Sequence, residues 1–474
     1  MPSMRALVLG ALAVLGLVAG CGGGGGEPPQ ARSGQPARSA VVGLQDDTVY
    51  KPGQDPAERV AQIADAGAKV MRVDLIWDQV APTRPANAED PGDPAYRWAE
   101  YDAVVREARA NGLDVLFTVW GTPAWAADPT VAVRKDQPAW ARRPADPADF
   151  GAFGAAAARR YAPKGVHLWE GWNEPNIPLF LYPQYERRGG RWVATSPRTY
   201  AGLQRAFFEG VKGADPAAVV AGVVTAPAGD RRQSPPPVRV TPDDFVAALD
   251  APGLRPPMDV VSHHPYPQTK PRDRTPPGRN YIDLYNLDVL TAALDRTYLR
   301  GKGLWLTEYG FGTESLPIYP LAFTPEEQSA AIADAFRRVR ENPRVRLFSY
   351  YLLRDHAQWK SGLLDMEGRA KPGRDAFALP LAALGVDPAP AGAARRLVGQ
   401  VRAAGDPVTA QVQWRSGDAW KPLTDVRTGP DGTFTLTLTP SRDVEVRAIW
   451  TGTGRSGRDG TWTSAPVTLR VTSG

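Results

Sequence analysis

The chain has 474 residues, 43% hydrophobic and 23% charged, the proportions of a soluble globular protein with enough apolar material for a sizeable core; a lone recognition module and global disorder are both excluded. At this length the expectation is about three units of ~150 residues, or one large barrel with an accessory module. Fifty-six Lys and Arg against 51 Asp and Glu leave a net charge of +5, which is small over this length and gathered in no long basic run, so nucleic acid is a poor partner.

The chain opens with Arg5, an apolar run from Ala6 to Val18, and small residues up to Cys21. A positive end, an apolar segment too short to span a bilayer and then small residues predict a secretory signal peptide over 1–21. The sequence LVAGC resembles a bacterial lipobox. That resemblance implies cleavage before Cys21, lipidation of its thiol, and a tether on the outer face of the cytoplasmic membrane or cell surface, with the membrane a partner through the lipid anchor only. The alternative, an ordinary cleaved signal with an incidental Cys, leaves unexplained why the one Cys of the chain stands where a lipobox needs it. A single thiol builds no disulfide framework. Residues 22–38, rich in Gly, Pro, Gln and Ser, are expected to form a flexible tether. No later stretch has the ~18 uninterrupted apolar residues of a membrane-spanning helix.

From Ala40 to about Leu384, short β-type runs alternate with longer amphipathic stretches, the order that builds a parallel sheet through right-handed crossovers. The runs cover 39–47, 69–77, 113–120, 166–175, 218–224, 258–266, 303–311 and 345–353. Eight β/α repeats predict an α/β fold, a (β/α)8 TIM barrel over 39–388 with enlarged loops. A doubly wound sheet would carry a glycine-rich phosphate turn after its first strand, and none is present. Over 392–474 the pattern changes to short alternating segments rich in Val, Thr and Trp, with turn signals such as Pro430-Asp431-Gly432. These predict a small antiparallel β-sandwich, similar to immunoglobulin or fibronectin modules. It serves as a spacer, or as a carbohydrate-binding module if Trp414, Trp420, Trp450 or Trp462 is exposed.

Barrel chemistry sits at the C-terminal ends of strands. The fourth run ends Trp172-Asn173-Glu174-Pro175-Asn176 and the seventh ends Leu306-Thr307-Glu308-Tyr309-Gly310. Two carboxyl groups on facing strand ends suit glycoside hydrolysis, which needs an acid for the leaving oxygen and, in a retaining enzyme, a carboxylate about 5 to 5.5 Å away to attack the anomeric carbon. Glu170, four residues earlier on the same side of its strand, is expected roughly 13 Å deeper as a structural carboxylate. Adjacent His263 and His264 point to opposite faces, and His264 shares its face with Tyr266. Trp77, Trp120, Trp125 and Trp172 lie near strand ends and either stack on a sugar or pack under loops. His167, His263, His264 and His356 show no metal-ligand spacing, so neither metal nor cofactor is expected. The absence of a G-x-S-x-G elbow disfavours a serine hydrolase.

WNEPN and LTEYG resemble the signature of glycoside hydrolase clan A, an Asn-Glu-Pro after strand four and a Glu after strand seven. The resemblance implies Glu174 as general acid/base, Glu308 as nucleophile, and Asn173 on the substrate 2-hydroxyl. It also matches Arg72 of VMRVDLIW beside the nucleophile, and His264 and Tyr266 of HHPYP. WGTPAWA, which holds Trp120, and GLLDMEGRAKPG look most like family 39, with family 5 a close second. Where the clan commonly has a Trp platform on strand eight, this chain has Tyr350-Tyr351, so Tyr351 or the nearby Trp359 is expected to take that role. The whole implies a retaining glycosidase acting on a carbohydrate. The alternatives are a polysaccharide-binding surface lipoprotein and a transglycosidase.

Overall fold

The computed structural model of the protein describes residues 28–34, 40–51, 53–133, 135–231, 236–270, 280–316 and 319–472. The expected signal segment with Cys21, and residues 22–27 and 35–38 of the expected tether, lie outside the described residues.

Eight strands form a closed parallel barrel in chain order: Val41–Gln45, Val70–Ile76, Asp114–Trp120, Leu168–Gly171, Val219–Thr225, Val260–His263, Leu304–Tyr309 and Val345–Tyr351. All eight lie on the predicted runs, the fifth ending one residue beyond its run. The second and seventh are buried at every position, because one face fills the barrel while the other packs against the helical ring. The ring comprises Ala57–Asp65, Ala99–Ala110, Pro147–Tyr161, Ser196–Ala214, Pro242–Leu249, Leu287–Asp295 and Pro325–Glu341. Local chemistry sets several starts: Asp146 accepts from Ala148 N, Thr241 from Asp244 N, and Thr324 forms a reciprocal capping box with Glu327, each with Pro in the first turn.

Trp77 and Trp172 are 1% and 0% exposed. They pack with Phe150 and Phe153 under the loops, so of the two roles expected for them, packing is the one they have. Trp125 meets Trp77 edge-on at 5.6 Å and donates to Ala81 O.

The C-terminal region has two antiparallel sheets around a second core. One joins Thr433–Thr439, Arg395–Gln400 and Leu381–Leu384; the other joins Ala419–Arg427, Thr409–Ser416, Val444–Thr453, Asp459–Thr463 and Val467–Leu469. Two expected boundaries shift. Leu381–Leu384, placed at the end of the barrel domain, pairs with Arg395–Gln400 and belongs to the sandwich. Gln30–Gly34, placed in the flexible tether, adds an edge strand to Thr433–Thr439 in antiparallel register; its partner lies some 400 residues away, so no local pattern announces it. Trp414, Trp450 and Trp462 are 5%, 6% and 3% exposed, which removes three of the four platforms a sugar-binding sandwich would need. Trp420 is half-buried beneath Arg415 and Arg447.

Barrel and sandwich are joined: Arg455 donates to Ala68 O, Ser456 N donates to Asp65 Oδ1, and Arg402 inserts between Phe336 and Phe377. Among the described residues no helix is long and apolar enough to cross a membrane.

Candidate active site

Strand four delivers Glu174 through an unusual turn. Trp172 and Glu174 adopt φ of 75° and 39°, a left-handed region costly for side-chain-bearing residues. Surrounding bonds hold the turn. Trp172 N donates to Val119 O and its indole to Phe180 O, while Asn176 accepts from Ala226 N and donates to Ala226 O and Val240 O. The Asn-Glu-Pro-Asn segment is thereby pinned to strand five and its loop. Just after strand seven, Gly310 lets the end of strand eight approach, since a Cβ there would stand 2.3 Å from Tyr351 O.

The two glutamates converge. Oxygens of Glu174 and Glu308 and a ring nitrogen of His264 all lie within 4.8 Å of one another. His264 Nδ1 stands 2.8 Å from Glu174 Oε1 and 3.7 Å from Glu308 Oε1. Both oxygens of Glu308 are engaged: Arg72 Nη1 donates to Oε1 at 2.6 Å and Tyr266 OH to Oε2 at 2.9 Å. The histidine spacing in sequence gave no hint of this three-residue cluster. Its donor atoms would suit a cation, but a guanidinium and a phenol already bond Glu308 and the imidazole bonds Glu174, so the positive charge beside Glu308 comes from Arg72.

Arg72 is fully buried and spends all three nitrogens on protein: Nε on Glu170 (3.0 Å), Nη1 on Gln45 (2.5 Å) and Glu308, and Nη2 on Asn173 Oδ1 (2.9 Å). Of the two roles the resemblance implied for Arg72, orienting the carboxylate beside it and hydrogen-bonding a sugar, its buried contacts fit the first. Glu170, also fully buried, accepts from Thr118 at 2.6 Å. It sits one guanidinium beneath Glu308 as a structural counter-charge.

Burial, reinforced by the Glu308 charge, raises the Glu174 carboxyl above the ordinary range against the opposing pull of His264. Burial lowers His264, but the two flanking carboxylates outweigh it and raise the imidazole. Glu170 moves the other way: burial pushes it up, yet Arg72 and His264 hold it below the usual range. Two buried carboxyls of one strand and its turn, Glu170 and Glu174, are thus shifted in opposite directions by their different neighbours. His263 faces away, between Thr225 Oγ1 and Ile282 O, and burial drops it to about 3.

The remaining expected residues line the mouth. Tyr351 and Trp359 lie 5.6 Å apart, with Tyr266 5.3 Å from Trp359, forming an aromatic wall, whereas Tyr350 is wholly buried and donates to Ser361 O. Trp120, 8% exposed, closes the strand-three side.

Sequence reasoning missed three polar groups. Asp47 accepts from Tyr351 OH and from Gln45 Nε2. Gln45 also bridges to Asp74, whose carboxyl is pushed up to about 7 by burial and by the charges of Asp47 and Glu308. The signal was present: Gln45 and Asp47 end the first run, and Asp74 lies two residues after Arg72 on the same strand face.

The model of the cellulase family, glycosyl hydrolase family 5, matches residues 34–338. No curated protein matches the chain by sequence. Solved structures of similar fold include a glucosidase from Croceicoccus marinus, 15% identical over 86% of this chain and 96% of that one, with a TM-score of 0.51. The catalytic domain of GH30 xylanase C from Talaromyces cellulolyticus is 12% identical over 85% and 97%, with a TM-score of 0.47. An exo-β-1,4-mannosidase from Opitutaceae bacterium strain TAV5 is 15% identical over 72% and 59%, with a TM-score of 0.44. At such identities the glucosidase likeness is one of fold. The family match settles on the second of the two families the motifs suggested, in place of family 39: the chain belongs to glycosyl hydrolase family 5 and is a glycosidase.

Proposed function

We propose that the protein is a retaining glycosidase working by double displacement, with Glu308 as nucleophile and Glu174 as general acid/base. The supporting observation is the approach of the two carboxylates, within 4.8 Å oxygen to oxygen. Retaining enzymes hold the pair about 5–5.5 Å apart, whereas inverting enzymes need about 6.5–9.5 Å to admit a water. Glu308 attacks the anomeric carbon as its bond to the leaving oxygen breaks, and that oxygen takes the Glu174 proton. The glycosyl ester removes the Glu308 charge, so Glu174 becomes more acidic and then accepts a proton from water as the water oxygen displaces Glu308. Arg72 and Tyr266 orient the nucleophile, Asn173 faces the 2-hydroxyl, and Tyr351, Trp359 and Trp120 bound the sugar.

Aryl glycosides test this. Wild type releases the phenol with retained configuration at the anomeric carbon. Glu308→Ala is inactive until azide restores turnover with inverted product, and Glu174→Ala keeps activity only on activated leaving groups. An inverted product from wild type overturns the assignment.

The placement outside the cytoplasmic membrane, anchored through lipidated Cys21, belongs to the same proposal. Its support is the apolar run ending in LVAGC. Fatty-acid labelling of the expressed full chain is expected and is lost in Cys21→Ser; equal labelling of both refutes the anchor.

A further inference from the structure

The loops after strands three, four and five enclose a cleft of about 690 Å³ on the same barrel face as the catalytic pair. One wall is the hairpin Tyr185–Arg188 and Arg191–Ala194. The cleft is tied to the turn that carries Glu174 through one lining residue: Gln184 donates to Pro175 O at 2.9 Å, and Pro175 directly follows Glu174. The general acid must touch the leaving oxygen, so the leaving group extends over the acid's own strand and its neighbours, away from strand seven. Strands one, two and eight, carrying Asp47, Asp74 and Tyr351, are left to the sugar.

The lining says what kind of leaving group fits. Val131, Pro178, Pro183, Trp192, Pro237 and Val238 contribute carbon surface, and prolines offer no N–H to a hydroxyl. Several of the charged and amide groups on the lining are engaged within the protein, while Gln137 and the Tyr182 hydroxyl add polar groups. Arg143 pairs with Asp128 and Glu186, Glu186 with Arg188, and Gln184 with Pro175 O, Leu181 O and Ser196. The same three loops carry Val133, Trp140, Leu179, Val193 and Val238, five of the eight large apolar side chains exposed among the described residues. Of these five, Val238 stands on the cleft lining itself, and the other four are carried by the loops that enclose it.

Resting on the retaining-glycosidase reading, we infer that this cleft holds the leaving group, and that the leaving group is an apolar alkyl aglycone instead of a further sugar.

Aryl glycosides first establish the preferred sugar. Its methyl, butyl, hexyl and octyl β-glycosides, below their micelle concentrations, then read the cleft. Burial of each methylene predicts a rise in kcat/KM of about two- to fourfold per carbon, levelling off when the cleft is full. Val131→Asp and Val238→Asp, both in loops, flatten this gradient; Val386→Asp, 80% exposed on the sandwich, leaves it intact. A flat alkyl series, or one in which an added sugar unit raises kcat/KM while added methylenes do not, overturns the inference while leaving the glycosidase reading standing. If no aryl glycoside is cleaved, the retaining reading fails on its own. Calorimetric binding of methyl and octyl glucoside, mannoside and xyloside to the Glu308→Gln protein then decides the cleft: tighter octyl binding that Val238→Asp abolishes supports it, and equal binding refutes it.

Discussion

Two arginines are buried in this protein under opposite arrangements. Arg72, in the barrel mouth, stands between the carboxylates of Glu170 and Glu308 at 3.0 and 2.6 Å, and these charges hold its guanidinium well above its ordinary range despite burial. Arg402, at the joint between barrel and sandwich, makes no ion pair among the described residues. It donates to Phe377 O and Gln400 Oε1 at 2.9 Å each and lies 5.2 and 5.1 Å from the rings of Phe336 and Phe377. Burial lowers it to about 10, still charged at neutral pH. The mouth uses a buried cation to fix the charge state of other groups; the joint uses one mainly to fill space between rings and carbonyls.

The comparison breaks most visibly at Arg72. Arg72→Met strips Glu308 of its strongest donor and leaves two buried carboxylates uncompensated, so kcat/KM is expected to fall about a thousandfold or more and stability by about 3–5 kcal/mol. Denaturant unfolding beside aryl-glycoside kinetics reads both. A variant with full activity would mean that Tyr266 alone suffices to place the nucleophile.

His264→Gln acts one step further from the chemistry. The protonated imidazole beside Glu174 lowers the acid's pKa against the effects of burial and Glu308. Removing that charge raises the folded-state pKa of Glu174, so the acid survives to higher pH and the alkaline limb of kcat/KM moves upward. Loss of the charge-assisted bond lowers the optimum rate about ten- to a hundredfold. An alkaline limb that stays in place or moves downward would assign it to another group.

The same contrast explains what the sequence disclosed. The eight strands were legible because each is an apolar run closed by loop residues, and the converging glutamates because both stand at the ends of such runs. Asp74 stands on a legible strand and Asp47 just beyond one, but the Tyr351 contact of Asp47 depends on barrel closure bringing strand eight beside strand one. The hairpin after strand four carried a usable signal in Gly189-Gly190, with φ of 54° and 81°, the turn that a two-residue hairpin requires. The edge strand Gln30–Gly34 carried none: QARSG is polar, and its place is set by backbone bonds to Thr433–Thr439, which side-chain patterns do not encode. Arg402 was equally opaque, since nothing in its neighbourhood in sequence marks a charge that will be buried between two aromatic rings of the barrel.

Arg402 supplies the smallest and most discriminating effect. Arg402→Met keeps the length of the side chain and its packing between Phe336 and Phe377, removes a desolvated charge, and leaves Phe377 O and the Gln400 amide oxygen short of one donor each. The removed desolvation is favourable and each lost bond is unfavourable by about 1–3 kcal/mol, so the opposing contributions nearly cancel. The expected change in unfolding free energy is therefore within about 2 kcal/mol, with kcat/KM for aryl glycosides unchanged, because Arg402 lies beside Val41 and Lys69 at the N-terminal ends of the strands, away from Glu174 and Glu308. A loss comparable to that of Arg72→Met would show that the joint depends on the charge itself. A loss of activity without a loss of stability would show that the sandwich communicates with the mouth through the strand-eight helix, Pro372–Ala378, whose Phe377 carbonyl Arg402 holds.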